Sequence, residues 1–185
     1  HTRCFFNYKD FYKDIAKKGF KHLVEVGSWK GHSIGFLAKH LIQNKNVDFK
    51  LYAVDIWEDC PWKGLDKEKD IELREIYSIF QINLINMGVL DKVIPIKDQS
   101  YIAANRFENE HFDFVYIDAD HHYDKVLQDI KAWYPKVKKG GIIAGHDYYN
   151  KGDMQAKRAV DELVQQKFLP QIKTTNGSVW MCNKK

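Results

Sequence analysis

At 185 residues the chain has the size of one ordinary domain, and at 44% hydrophobic it has ample material for a packed core. Its 29 basic residues nearly match 25 acidic ones, leaving a net charge of +4 with no basic stripe of the kind that binds nucleic acid. No apolar run approaches the roughly 20 residues needed to span a bilayer, and no signal-peptide core is present. Cys4, Cys60 and Cys182 are scattered and odd in number, which points away from zinc and disulfides and toward a reducing, cytoplasmic compartment.

Residues 7–18 read as an amphipathic leading helix, with Phe11, Tyr12, Ile15 and Ala16 as its apolar stripe and Gly19 as its stop. Residues 22–26 (HLVEV) are a strand, followed by a helix over 33–43 with Ile34, Leu37, Ala38 and Leu41 on one face. A second strand covers 50–55 (KLYAVD). An irregular, aromatic-rich insertion at 57–65 (WEDCPWKGL) follows and is expected to act as a substrate lid. The pattern continues with a helix over 66–87, a strand at 93–96, a strand at 112–118 (FDFVYID) and a helix over 123–133. Lys136, Lys138 and Lys139, flanked by a proline and a glycine pair, read as a solvated turn. After a strand at 141–145 (GIIAG) and a helix over 155–167, two apolar runs at 171–174 and 178–182 flank Thr175-Asn176-Gly177, a hairpin signal. Nearly continuous apolar strands alternating with helices predict an α/β fold: a single domain over 1–185 built on a doubly wound, Rossmann-like, mostly parallel sheet. Helices cover both faces and an antiparallel hairpin closes one edge.

In such a sheet ligands sit at the carboxyl ends of the strands. The first such end reads Glu25-Val26-Gly27-Ser28-Trp29-Lys30-Gly31-His32-Ser33. Gly27 permits a sharp turn, Gly31 lets the helix start close by, and the helix N-terminus offers unpaired N–H groups to an anion. Asp55 ends the second strand at an offset suited to ribose hydroxyls. A dinucleotide loop is GxGxxG, whose middle glycine admits a pyrophosphate. Here Trp29 and Lys30 crowd that place, which favours one adenosine with a short zwitterionic arm, its carboxylate at the helix N-terminus and its ammonium facing Glu25.

The segments VEVGSWKGHS, YAVDIW and FDFVYIDADHHYDKVLQDIKAWYPKVKKGGIIAGHDY resemble the class I S-adenosylmethionine-dependent methyltransferases, in particular the small O-methyltransferase-type branch that includes macrolide sugar O-methyltransferases. The resemblance runs from about Leu23 to Tyr148. It implies a seven-stranded sheet with the last strand antiparallel. It also implies S-adenosylmethionine as cofactor, bound by Glu25, Gly27, Ser28, Gly31, Asp55, Ile56 and Asp118, with Gln99 and Ser100 near the adenine.

Independently, Asp118, Asp120, His121 and His122 follow the fourth strand, and His146 and Asp147 follow the fifth. Neighbouring parallel strands lie roughly 5 Å apart, so these groups converge on either a divalent metal or acid–base chemistry. The resemblance implies a magnesium-type site at Asp118, His146 and Asp147. His146 stands where the metal-dependent members carry an acidic ligand, so the set suits manganese, iron or zinc as well, or no metal at all. His121 matches the family's candidate base, with Asp118 beside it, and its alternative is a structural role at the start of the fourth helix. His122 reads as structural. Tyr148, Tyr149, Trp57 and Trp62 either line an acceptor pocket or close a core edge. The expected activity is methyl transfer to a hydroxyl of a small molecule or sugar, without nucleic-acid or membrane partners and compatible with a homo-oligomer. A catalytically silent cofactor-binding module and a nicotinamide-dependent oxidoreductase are the alternatives.

Overall fold

Seven extended segments form the sheet: β1 (His22–Val26), β2 (Lys50–Asp55), β3 (Val93–Lys97), β4 (Phe112–Ile117), β5 (Val137–Gly145), β6 (Lys173–Thr175) and β7 (Val179–Asn183). They come from a computed structural model that describes residues 6–58, 75–149, 155–175 and 178–185. Their order is β3-β2-β1-β4-β5-β7-β6, with β1 to β5 parallel and β7 antiparallel to both β5 and β6. The expected terminal hairpin therefore closes one edge, with β7 inside and β6 outermost; its tip, Asn176-Gly177, lies outside the described residues. Of the expected lid, 59–65, including Cys60 and Trp62, lie outside them too, as do 66–74 of the expected helix 66–87.

Side chains alternate along each strand, and both sheet faces are covered. Leu23, Leu51, Ala53, Phe114, Tyr116 and Ile142 pack against α1 (Lys9–Ala16), α2 (His32–Gln43) and α3 (Ile76–Met87). Val24, Val26, Val54, Val115 and Ile143 pack against α4 (Ser100–Ala104), α5 (Tyr123–Trp133) and α6 (Gln155–Gln165). The leading helix buries Phe11, Tyr12, Ile15 and Ala16, its expected stripe. No described helix is long and apolar enough to cross a membrane.

One local expectation is corrected. Lys138 and Lys139 lie within β5, not in a turn. The strand keeps its pairing through a bulge: register passes from Phe112↔Val137 to Phe114↔Ile142, leaving extra residues on the β5 side. Gly140 takes φ +78° there, and Lys138 Nζ bonds Asp113 Oδ1 at 2.7 Å, which gives the basic run a partner within the sheet.

Candidate active site

The chain leaves β1 and β4 toward opposite sides of the sheet, and this reversal opens the crevice in which doubly wound folds bind ligands. Gly27, directly after β1, has φ +89°, and a Cβ there would lie 2.1 Å from the Asp118 carbonyl oxygen. Its N–H donates to Val54 O, while the Asp118 N–H donates to Val26 O, both at 2.8 Å. The first loop and the end of β4 are thus locked together by backbone alone. Gly31, at φ +76°, is the N-cap of α2, and a Cβ there would meet the Phe80 ring of α3 at 2.8 Å. Its glycine serves helix packing as well as access. Ser28 is buried, its hydroxyl donating to Glu25 O at 3.3 Å.

Asp55 ties the first loop to the second. Its Oδ2 accepts the Trp29 N–H at 2.8 Å and its Oδ1 the Trp57 N–H at 2.9 Å. Burial raises its carboxyl pKa, while the N–H groups of Trp57, Trp29 and Ile56 oppose the rise. With these three N–H groups on about four lone-pair sites, the carboxylate keeps one for a ligand hydroxyl. Ile56 is exposed beside it, and so is the Trp29 ring, whose face lies 4.3 Å from the buried Lys30 ammonium. Trp57 is not a pocket wall. It is buried against Tyr77 and Phe80, with Nε1 donating to Trp29 O at 2.8 Å, so it closes a core edge. Tyr148 is buried likewise and donates to Asp161 at 2.6 Å, whereas Tyr149 is exposed.

Gln99 is the extended N-cap of α4, at the end of β3. Ser100 Oγ accepts the Trp133 Nε1–H at 2.9 Å, which turns this side chain toward α5.

The ends of β4 and β5 bring the acid–histidine cluster together. His121 Nδ1 lies 3.2 Å from Asp147 Oδ2. His146 Nδ1 lies 3.2 Å from Asp147 Oδ1 and 3.6 Å from Asp118 Oδ1. One donor atom each from Asp118, His121 and Asp147 falls within 4.8 Å of the others, a spacing that fits one divalent ion. Among the described residues this metal-spaced group includes His121. His146, expected there, has both ring nitrogens engaged, since Nε2 lies 3.0 Å from Asn7 Oδ1. Burial alone would lower the His146 pKa, but hydrogen bonds to Asp118 and Asp147 and their charges outweigh it and carry it up to about 10. The His146 bond, and then the His146 and His121 charges, hold Asp147 below the usual carboxylate range despite its burial.

Asp120 accepts from the His122 N–H and faces its ring at 2.6 Å, outside the metal-spaced group. The first N–H of α5, from Tyr123, goes to Gln155 Oε1 of α6 at 2.9 Å.

Three further residues reach this edge from the leading segment. Asn7 meets His146 as above, Tyr8 Oη donates to Asp118 Oδ2 at 2.9 Å, and Tyr12 Oη donates to Glu25 Oε2 at 2.6 Å. Sequence reasoning placed Tyr12 in a core stripe and gave Asn7 and Tyr8 no role. The available signal was chemical: a tyrosine in a buried stripe needs a partner for its hydroxyl. Glu25 is buried, and its Oε1 accepts from Ser33 Oγ at 2.9 Å. Burial drives its pKa up to about 7 against those hydrogen bonds, and the Asp118 charge adds to the rise.

Comparison with known proteins fits this geometry. Residues 24–148 match a family model described as a methyltransferase domain. The uncharacterized protein R132 of Acanthamoeba polyphaga mimivirus is 29% identical over 147 residues, which is 76% of this chain; the chain spans 58% of that relative's length. Among solved structures, the O-methyltransferase NovP superposes with a TM-score of 0.66 at 21% identity, over 97% of this chain and 78% of that one. A putative caffeoyl-CoA O-methyltransferase from Staphylococcus aureus gives 0.68 at 13% identity, over 96% and 82%. An O-methyltransferase from Bacillus cereus, in complex with SAH, gives 0.67 at 16%, over 95% and 80%. With two thirds of its length inside the family model, the chain belongs to the methyltransferase-domain family.

Proposed function

We propose that the protein transfers the methyl group of S-adenosylmethionine to a hydroxyl oxygen of a small molecule. The observation that carries this reading is the meeting, at one crevice, of the Gly27–Gly31 loop and Asp55 with the Asp118, His121 and Asp147 group. The loop and Asp55 suit the two ends of the cofactor: anionic carboxylate at the α2 N-terminus, ribose hydroxyls at Asp55. Gln99, just past the end of β3, is read as a neighbour of the adenine. A sugar acceptor draws support from one structural neighbour, CalS11, described as a TDP-rhamnose 3'-O-methyltransferase, at a TM-score of 0.57 and 12% identity.

A neutral alcohol is a poor nucleophile toward a sulfonium methyl, so its proton must leave as the new bond forms. His121 Nδ1 lies 3.2 Å from Asp147 Oδ2, and the tautomer that donates there leaves Nε2 to accept the proton. S-adenosylmethionine held at this crevice would supply the methyl carbon to the acceptor oxygen, with the S–C electrons returning to a sulfur left uncharged in S-adenosylhomocysteine. Asp118, His121 and Asp147 would also hold a divalent ion, and an ion bound there supplies a lowered hydroxyl pKa in place of the free imidazole.

Calorimetric titration with S-adenosylmethionine, S-adenosylhomocysteine and NADH, with and without manganese, tests the reading. Micromolar binding of both sulfur compounds, none of NADH, and at least tenfold weaker binding by Asp55→Ala are expected. Absence of sulfur-cofactor binding to well-folded protein sinks the proposal.

A further inference from the structure

We propose that Tyr12, on the leading helix α1, is a positioning residue of the cofactor site: its hydroxyl fixes the Glu25 carboxylate as the counter-charge for the α-ammonium of the cofactor's amino-acid arm. The inference rests on the methyltransferase reading and extends it to an element outside the first loop. Three observations carry it.

The first is cost. The Tyr12 ring packs against Tyr8, Phe11, Phe114 and Tyr116, a setting in which phenylalanine would serve packing equally well. A buried hydroxyl bonded to a buried carboxylate is instead a polar pair that the core does not need. The second is place. Glu25 is two residues before Gly27, and its other oxygen accepts from Ser33, in the first turn of α2. That turn presents the open N–H groups suited to the arm's carboxylate. In an α-amino acid the ammonium and carboxylate share one carbon, so an arm seated on α2 brings its cation within a few ångströms of the residue that Ser33 touches. The third is capacity. A carboxylate has about four lone-pair sites, and Tyr12 and Ser33 take one on each oxygen. Both bonds fix the plane of the carboxylate while leaving it able to receive an ammonium.

The test separates the arm from the nucleoside. 5'-Methylthioadenosine carries the adenosine and sulfur of the cofactor without its amino-acid arm. Tyr12→Phe keeps the ring and removes the hydroxyl. Calorimetry is expected to show S-adenosylhomocysteine bound about tenfold more weakly by Tyr12→Phe, with 5'-methylthioadenosine bound as by the unaltered protein. Glu25→Gln should show the same split, and adding Tyr12→Phe to it should weaken S-adenosylhomocysteine no further, because the hydroxyl acts through that charge. Unchanged S-adenosylhomocysteine affinity in Tyr12→Phe overturns the inference, and so does an equal loss for both ligands, which would mark a structural role. Should Tyr12→Phe not fold, the Glu25→Gln split decides: no split, no counter-charge. Failure of the unaltered protein to bind either ligand would instead bring down the methyltransferase reading itself.

Discussion

Gly27 shows how narrowly one residue can be specified. Its φ of +89° disfavours any Cβ, and the Asp118 carbonyl oxygen, 2.1 Å from where a Cβ would sit, forbids one without backbone movement. Gly27→Ala should therefore cost about 3 kcal/mol or more of stability, combining left-handed strain with overpacking. Gly88→Ala is the matched control: φ is +69° but nothing lies within 4 Å, so only the conformational cost of about 1–2 kcal/mol applies. Thermal melts of the two variants check this, and equal losses would mean that the contact with Asp118 has no energetic weight. Gly27, Gly31 and Asp55 were legible because their signals are local, a glycine spacing after a strand and an acid ending the next one. Asn7 and Tyr8 were not, because their partners His146 and Asp118 lie 139 and 110 residues away. His121 and His146 could be placed near one another from sequence. How each ring is turned toward the two carboxylates depends on distant contacts, such as that of Asn7 with His146 Nε2.

At the scale of elements, period carried the fold. Strands buried on both faces and helices with apolar stripes announce themselves within a dozen residues, and β1, β2 and α5 begin and end where the pattern said. Elements that depend on distant partners behaved differently. The Lys138–Lys139 run reads as a turn until Asp113 and the bulge opposite β4 are seen. Trp57 opens an aromatic insertion that looks ready to meet a substrate, yet its ring is packed against Tyr77 and Phe80. Trp57→Ala is accordingly expected to lower stability by about 3–5 kcal/mol, as for other buried aromatics. Chemical denaturation measures it. A variant of unchanged stability with impaired catalysis would return Trp57 to the acceptor side.

Across the whole molecule, the buried acids make stability depend on pH, and the sign is set by Glu25. Its pKa rises from 4.5 to about 7 on folding, so between those values the unfolded chain has released a proton that the folded chain keeps. Stability from this group is full below pH 4.5 and is lost as pH climbs through 7, by about 3 kcal/mol at roughly 1.4 kcal/mol per unit. Asp129, buried and raised to about 6, acts in the same direction. Asp113, Asp120 and Asp147 are lowered from 3.8, and their contribution is lost only below the acid end of this window. His146, raised from 6.5 to about 10, gives stability that fades on the alkaline side. His32 and His111, lowered from 6.5 by burial, favour the folded state as pH rises through the middle of the window and so oppose Glu25. The contribution of Glu25 is isolated by difference: denaturation between pH 5 and pH 7 should show a fall in stability that is about 2 kcal/mol smaller in Glu25→Gln than in the unaltered protein. Saturating S-adenosylhomocysteine should flatten the slope too, because an ammonium beside Glu25 ionises the carboxylate in the folded state and removes the difference in bound protons. Parallel slopes with and without ligand would separate Glu25 from the ammonium and leave its burial a matter of the core alone.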